Sequence, residues 1–156
     1  MRELLQDLRK SSIYVAFFAS SFVLMYFGVV MLSKFSYSYF EGFLPELSEW
    51  ALRAVFYGLS ILSVIGANLF KKSRYSKKAL AKVVGDPAEL IKHLFITVII
   101  AISISEVPLL CGFALFFLSV MYLDFYILSA LTVLLIFLNV PGVDNMEEKI
   151  KEAVKA

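Results

Sequence analysis

One acidic residue, Glu106, stands at the centre of the longest apolar stretch of the chain, residues 94–118. A helix rises about 1.5 Å per residue, so this carboxyl would lie about 18 Å from either end, near the middle of a bilayer's hydrocarbon core. An acid at that depth is costly, and intramembrane acids usually face protein, where they mark an ion pathway or a structural polar contact. Glu106 is therefore the leading candidate for a functional residue.

The residue types leave two interpretations of Glu106 open. Burial at the midplane penalises a charge, and no Lys or Arg stands at that depth in any apolar segment, so we expect a protonated carboxyl that faces another helix. In the first interpretation Glu106 binds a proton with support from Tyr57, Ser60 and Ser105. In the second it is a neutral, hydrogen-bonded structural acid.

Other kinds of chemistry have little support in the sequence. The chain has one histidine, His93, and one cysteine, Cys111, which do not make a metal site. We expect His93 to be an interfacial residue, with a proton relay as the alternative. No phosphate-binding loop and no pair of nucleophile and base is visible, so no enzyme activity, catalytic residue, cofactor or metal is predicted. Nucleic acid is not an expected partner, because only Tyr75 interrupts the basic run.

Composition places the chain in a membrane. Hydrophobic residues make up 60% of its 156 residues, charged residues 18%, and the mean hydropathy is +0.82. That is more apolar surface than a soluble core of this size could bury. Four segments are long and apolar enough to span a bilayer: residues 13–32, 54–70, 94–118 and 123–140. The sequence predicts an all-α, polytopic membrane protein, with residues 1–156 forming a single integral membrane domain.

Basic residues predict the orientation. Thirteen of the 15 Lys and Arg lie in the N-terminal segment, in a basic loop at 71–93, or in the tail at 144–156, which is predicted to be a helix. By the positive-inside rule both termini and the basic loop are cytoplasmic. The connection at 33–50 is acidic and rich in aromatic residues, which is typical of a loop in the outer headgroup region.

Helix signals refine these boundaries. Pro45 is predicted to open the second helix, which has few breakers before Gly85 and should continue through the basic run. Residues 86–89, Asp-Pro-Ala-Glu, combine an N-cap with a proline at the first helical position, so a tight turn precedes the third helix. Pro108 removes a backbone donor close to Glu106 and predicts a kink there.

Two groups of residues indicate partners of these helices. Small residues on helix two favour close packing against helix three. Basic residues after helix two favour anionic lipids at the cytoplasmic side of the bilayer. A homo-oligomer or other subunits of a membrane complex are further expected partners. The packing group is Gly58, Ser63, Gly66 and Ala67, and the lipid group is Lys71, Lys72, Arg74, Lys77 and Lys78.

Two stretches carry a resemblance to a known family. Residues 78–90 read KALAKVVGDPAEL and residues 104–115 read ISEVPLLCGFAL. The stretch of about residues 51–118 resembles the hairpin of a c-type subunit of rotary ATP synthases and ATPases. In that hairpin a polar loop precedes a helix whose ion-binding carboxylate is followed by proline and glycine. The resemblance implies a proton-binding role for Glu106 and a role in proton translocation.

The resemblance also implies an architecture, in which the c-like hairpin is central and one helix flanks it on each side. The glycine-dense first helix of that family is reduced here to Gly58 and Gly66. A competing hypothesis is a structural or assembly subunit that binds partner helices or anionic lipids.

Overall fold

The computed structural model describes residues 1–36 and 39–154, and within these ranges every regular element is a helix. The all-α prediction is therefore confirmed. Tyr37 of the predicted aromatic loop and the last two residues of the predicted tail helix lie outside the described residues. The helices are α1 Arg2–Ser36, α2 Glu49–Arg74, α3 Lys77–Ala81, α4 Pro87–Ser105, α5 Val107–Ser119, α6 Tyr122–Leu138 and α7 Val143–Val154.

Three helical stretches are long and apolar enough to cross a membrane: α1, α2, and the near-continuous stretch from Pro87 to Ser119 that contains α4 and α5. A fourth crossing results if α6 and α7, which meet at an angle of 52°, are taken together. This agrees with the prediction of a multi-pass helical membrane protein.

The Pro87–Ser119 helix is the centre of the bundle. It packs against α2 on one side and against α1 and α6 on others. The buried share of its apolar stretch is 50%, whereas the corresponding shares are 22% for α1 and 17% for α2. At Gly112 the central helix comes close to α6, since an added Cβ would lie 3.1 Å from Leu128 Cβ and from Phe125 Cα. Hydrogen in place of a side chain thus allows α5 and α6 to pack tightly.

One end of the bundle, called the aromatic end here, is closed by the connection between α1 and α2. The amide of Phe43 donates to the Phe117 carbonyl at 2.9 Å, and that of Leu44 donates to the Leu118 carbonyl at 2.9 Å. Gly42 allows this pairing, because its φ is +92° and an added Cβ would lie 2.5 Å from the Leu118 oxygen. The rings of Phe40, Phe43, Phe113, Phe116 and Phe117 pack together there.

The opposite end, called the basic end, gathers the three segments that the charge pattern places on one side. Ion pairs connect α7 to α1 through Arg2 and Asp144, at 3.1 Å, and to α3 through Lys77 and Glu152, at 3.2 Å. The tail helix thus covers its own bundle. The buried residues of this end are Leu5, Leu8, Leu80, Leu90, Leu94, Met146, Ile150 and Ala153.

Two predicted boundaries of helix two are wrong, and both errors have a tertiary cause. Pro45 does not open the helix, which begins at Glu49, because the preceding chain is drawn into the backbone pairing at the aromatic end. The helix does not continue to Gly85 but ends at Arg74. Ser76 then caps the separate helix α3, accepting from the Ala79 amide, so that most of the predicted basic loop is helical. Burial of Leu80 in the basic end favours this change of direction.

The predicted turn at residues 86–89 is confirmed. The Asp86 carboxylate accepts hydrogen bonds from the Ala88 amide at 2.8 Å and from the Glu89 amide at 3.4 Å. Pro87 occupies the first turn of α4, where its missing amide has no cost.

We expect Gly42→Ala to destabilise the protein by more than about 2 kcal/mol. The left-handed backbone alone costs an L-residue roughly 1–2 kcal/mol, and the new Cβ would overlap the Leu118 carbonyl. Gly66→Ala is the matched control, because nothing lies within 4 Å of a Cβ there and alanine favours a helix by up to about 1 kcal/mol. Thermal unfolding in detergent should move in opposite directions for the two variants. Equal shifts would contradict this account of Gly42.

Candidate functional site

Glu106 lies at a break in the central helix. α4 ends at Ser105 and α5 begins at Val107, so Glu106 is the single residue between them. Its amide donates to the Ser103 carbonyl at 3.2 Å instead of the carbonyl four residues back. Pro108 has no amide to donate, which interrupts the regular bonding of the helix at this point. The helix is therefore interrupted near the acid, as Pro108 indicates, and a bend of its axis there stays a prediction.

The Glu106 side chain is half-buried. It forms neither a hydrogen bond nor an ion pair with another residue of the described chain.

The three hydroxyls predicted to support Glu106 bind elsewhere. Tyr57 donates to Asp124 Oδ1 at 3.0 Å. Ser60 donates to the Phe56 carbonyl at 2.8 Å within its own helix. These two residues therefore do not form a hydrogen-bonded site with the acid, because each hydroxyl donates to another acceptor.

Ser105, next to Glu106, belongs to a different contact. Its hydroxyl donates to the Ala101 carbonyl at 2.8 Å and accepts from Asn139 Nδ2 at 2.6 Å. The same Asn139 amide lies 3.3 Å from the Ala101 carbonyl. Asn139 thus joins the end of α6 to α4 one residue before the helix break. The buried amide fixes the position of the backbone from which Glu106 projects.

A second polar cluster, which the sequence did not predict, lies near the aromatic end. Asp124 at the start of α6 is buried, with 7% of its side chain exposed. Arg53 on α2 holds it with two nitrogens: Nε lies 3.1 Å from both carboxylate oxygens, and Nη2 lies 3.0 Å from Oδ2. Tyr57, one turn further along α2, completes the cluster, and Glu49 flanks Arg53 at 3.5 Å. This arrangement joins α2 to α6 with directed, charge-assisted hydrogen bonds.

One sequence signal could have indicated this cluster. Arg53 and Tyr57 are four residues apart, so they share one face of a helix, and Asp124 is the only acid in the last apolar segment. The pairing joins residues 71 positions apart, however, and a single sequence does not give that distance.

The predicted packing residues of helix two separate into two groups. Ala67 is buried and Ser63 is half-buried, with its hydroxyl bonded to the Ser60 carbonyl at 2.7 Å. Gly58 and Gly66 have nothing within 4 Å of an added Cβ, so neither makes a close helix contact in the described chain. Within the described chain α2 instead turns a face containing Ser60 and Ala67 toward its neighbours, and a packing role for the two glycines stays a prediction.

The basic residues are also placed differently from one another. Lys72 and Lys78 are exposed, Lys71 and Arg74 are half-buried, and Lys77 pairs with Glu152 on α7. His93 Nε2 lies 3.1 Å from the Arg74 carbonyl at the end of α2, where it joins that end to α4. Across the described residues, no three His, Cys, Asp or Glu side chains come close enough together to hold a metal ion.

We expect Asp124→Asn to destabilise the protein by about 2 kcal/mol. Hydrogen bonds to a charged group contribute roughly 1.5–3 kcal/mol, and the partial exposure of Arg53 reduces this through solvent screening. Tyr57→Phe should cost about 1 kcal/mol, and the double variant should cost less than the sum because the two residues share a hydrogen bond. Thermal unfolding in detergent measures all three.

Glu49→Gln is the control for this cluster, since Glu49 and Arg53 form an exposed pair within one helix turn. A shift for Asp124→Asn no larger than that of the control would show that the buried carboxylate does not stabilise the bundle.

Comparison with known proteins does not assign the chain to a family. No protein-family model, no curated protein and no solved structure matches the chain. What the chain does must therefore be inferred from the contacts of Glu106, Asp124 and the basic residues.

Proposed function

We propose that this is a multi-pass membrane protein in which Glu106 binds and releases a proton. The observation that carries the proposal is a half-buried carboxyl, without a hydrogen-bond or ion-pair partner in the described chain, at the one break in the central apolar helix. A structural acid would gain by satisfying its oxygens within the protein, as Asp124 does. A carboxyl left free of such contacts can exchange its proton with a ligand, with water or with a partner.

The same proposal includes four membrane crossings with both termini on the cytoplasmic side. α6 is 17 residues long, about 25 Å, which is at the lower limit for a tilted span. Three segments rich in Lys and Arg meet at the basic end, and the acidic connection lies at the aromatic end, in agreement with the positive-inside rule.

A c-like hairpin gives this proposal a mechanism. α2 and the central helix pack against each other, joined through α3 and the Asp86–Pro87 turn, and the acid lies on the second arm of the hairpin. Protonation would neutralise Glu106 inside the bilayer, and deprotonation would require a polar route or a positive partner. Because α1 and α6 also cover the central helix, such a route would pass beside this bundle's own helices.

A structural or assembly subunit is the second candidate. The observation in its favour is the buried Asp124 with its two donors, together with the Ser105–Asn139 contact, since both fix helix positions without any exchangeable ligand. In that case Glu106 is a neutral acid that contacts a partner helix.

We expect a hydrophobic carbodiimide to label Glu106 in vesicles, and labelling to fall as the pH is raised, because the reagent modifies the protonated carboxyl. Peptide mass spectrometry of the intact protein after labelling identifies the site. In the same vesicles Glu106→Gln should lower proton flux at least about tenfold while thermal unfolding stays nearly unchanged, since glutamine keeps a neutral donor and acceptor but has no proton to release.

Glu41→Gln, in the exposed connection at the aromatic end, is the control that removes an acid outside the apolar helices. Absence of labelling at every pH, combined with unchanged flux in Glu106→Gln, would remove the proton-binding proposal and favour the structural subunit.

The orientation is tested by cysteine accessibility in a Cys111→Ser background. We expect a membrane-impermeant thiol reagent added to intact cells to label Tyr39→Cys, at a position that is 96% exposed, and to leave Lys82→Cys unlabelled. Lys82 is also exposed, so burial does not explain a difference between the two. The reverse pattern would invert the topology.

A further inference from the structure

Three lysines surround a cavity at the basic end, between the last turn of α2 and the junction of α6 with α7. The cavity measures about 290 Å³, near the lower end of the roughly 300–1,000 Å³ usual for small-ligand sites. Lys71 and Lys72 line it from α2, and Lys149 and Asn145 line it from α7. No acidic side chain is among its lining residues within the described chain.

The positive charge of this cavity is not neutralised by the protein. None of the three lysines forms an ion pair with an acid of residues 1–36 or 39–154. The charge on Lys149 repels that on Lys71, which is also partly buried. Three of the four acids of α7 bind elsewhere: Asp144 to Arg2 at 3.1 Å, Glu147 to Lys151 at 2.7 Å and Glu152 to Lys77 at 3.2 Å. The fourth, Glu148, does not line the cavity. An anion between the lysines would relieve this repulsion.

Tyr75 also lines this cavity. The Lys149 ammonium lies 5.3 Å from the centre of the Tyr75 ring, a cation–π contact that holds the lysine over the cavity. Burial raises the pKa of Tyr75 to about 12, so its hydroxyl keeps its proton at physiological pH. Ammonium groups and a phenolic hydroxyl are donors suited to phosphate oxygens.

The surroundings of the cavity indicate a ligand with an apolar part. Leu138, which lines the cavity from the end of α6, is 65% exposed, and Leu69, just before Lys71 on α2, is 62% exposed. Both lie on the membrane side of the lysines, where the apolar spans begin. A lipid could place its headgroup among the lysines and its acyl chains against these leucines.

We propose that this cavity is a phosphate-group site for the headgroup of an anionic phospholipid, built by Lys71, Lys72 and Lys149 together. It differs from a diffuse basic surface because the tail helix supplies a lysine that the charge run after helix two does not contain. The site is independent of proton binding at Glu106.

The test is native mass spectrometry of the full-length protein, extracted from vesicles of equimolar phosphatidylglycerol and phosphatidylcholine, with counting of retained phosphatidylglycerol. We expect Lys72→Gln and Lys149→Gln each to lower retention about fivefold, whereas Lys82→Gln, which removes the same charge at an exposed position of the same end, changes it less than twofold. Lys149→Arg should retain the lipid, which separates the loss of charge from any loss of folding.

Two results would overturn the proposal. Equal losses in Lys72→Gln, Lys149→Gln and Lys82→Gln would show a diffuse electrostatic attraction instead of a site. The second arm adds inorganic phosphate to lipid-free protein in detergent and measures thermal unfolding. The overturning result is that phosphate stabilises the protein as much as phosphatidylglycerol does, with this stabilisation absent in Lys149→Gln. That result would assign the cavity to free phosphate and refute the lipid as its ligand.

Discussion

Packing around one helix, the stretch from Pro87 to Ser119, determines the rest of this bundle. Lipid tails are as apolar as leucine, so helices in a bilayer gain little from hydrophobic contact alone and associate through close packing and polar contacts. The central helix offers both, with Gly112 against α6 and Ser105 bonded to Asn139. α1 and α2 bury only about a fifth of their apolar stretches, and they take their positions from this helix.

Polar contacts then fix the positions of these helices relative to one another. Asp124 holds α2 and α6 together near the aromatic end, and Asn139 holds α6 to α4 at the level of the helix break. Buried polar groups must be satisfied within the protein, because the hydrocarbon core offers no water. Glu106, which is half-buried, has no such partner in the described chain, and neither do the buried hydroxyls of Ser20 and Ser129. Glu106 differs from these two serines in being an acid.

Local signals in the sequence predicted local structure well. The Asp86 cap, the break near Pro108 and the helical character of each apolar segment depend on neighbouring residues, and the structure agrees with all three. The end of helix two at Arg74 was missed because burial of Leu80, a contact between distant segments, overrides a continuous helical pattern. The Arg53–Asp124 pair was missed because it too is a contact between segments that are distant in the sequence. The acid in the central apolar helix could be found from hydropathy. The hydrogen bond between its neighbour Ser105 and Asn139 could not.

The central place of Glu106 bears on how a proton could reach it. α1, α2 and α6 all pack against the central helix, and Glu106 itself is half-buried. Under the proton-binding proposal, a proton would reach Glu106 at the break that Pro108 helps to create, where the helix backbone is least regular. The break and the acid then act as one unit, because the residue at which the helix is interrupted is the residue that carries the carboxyl.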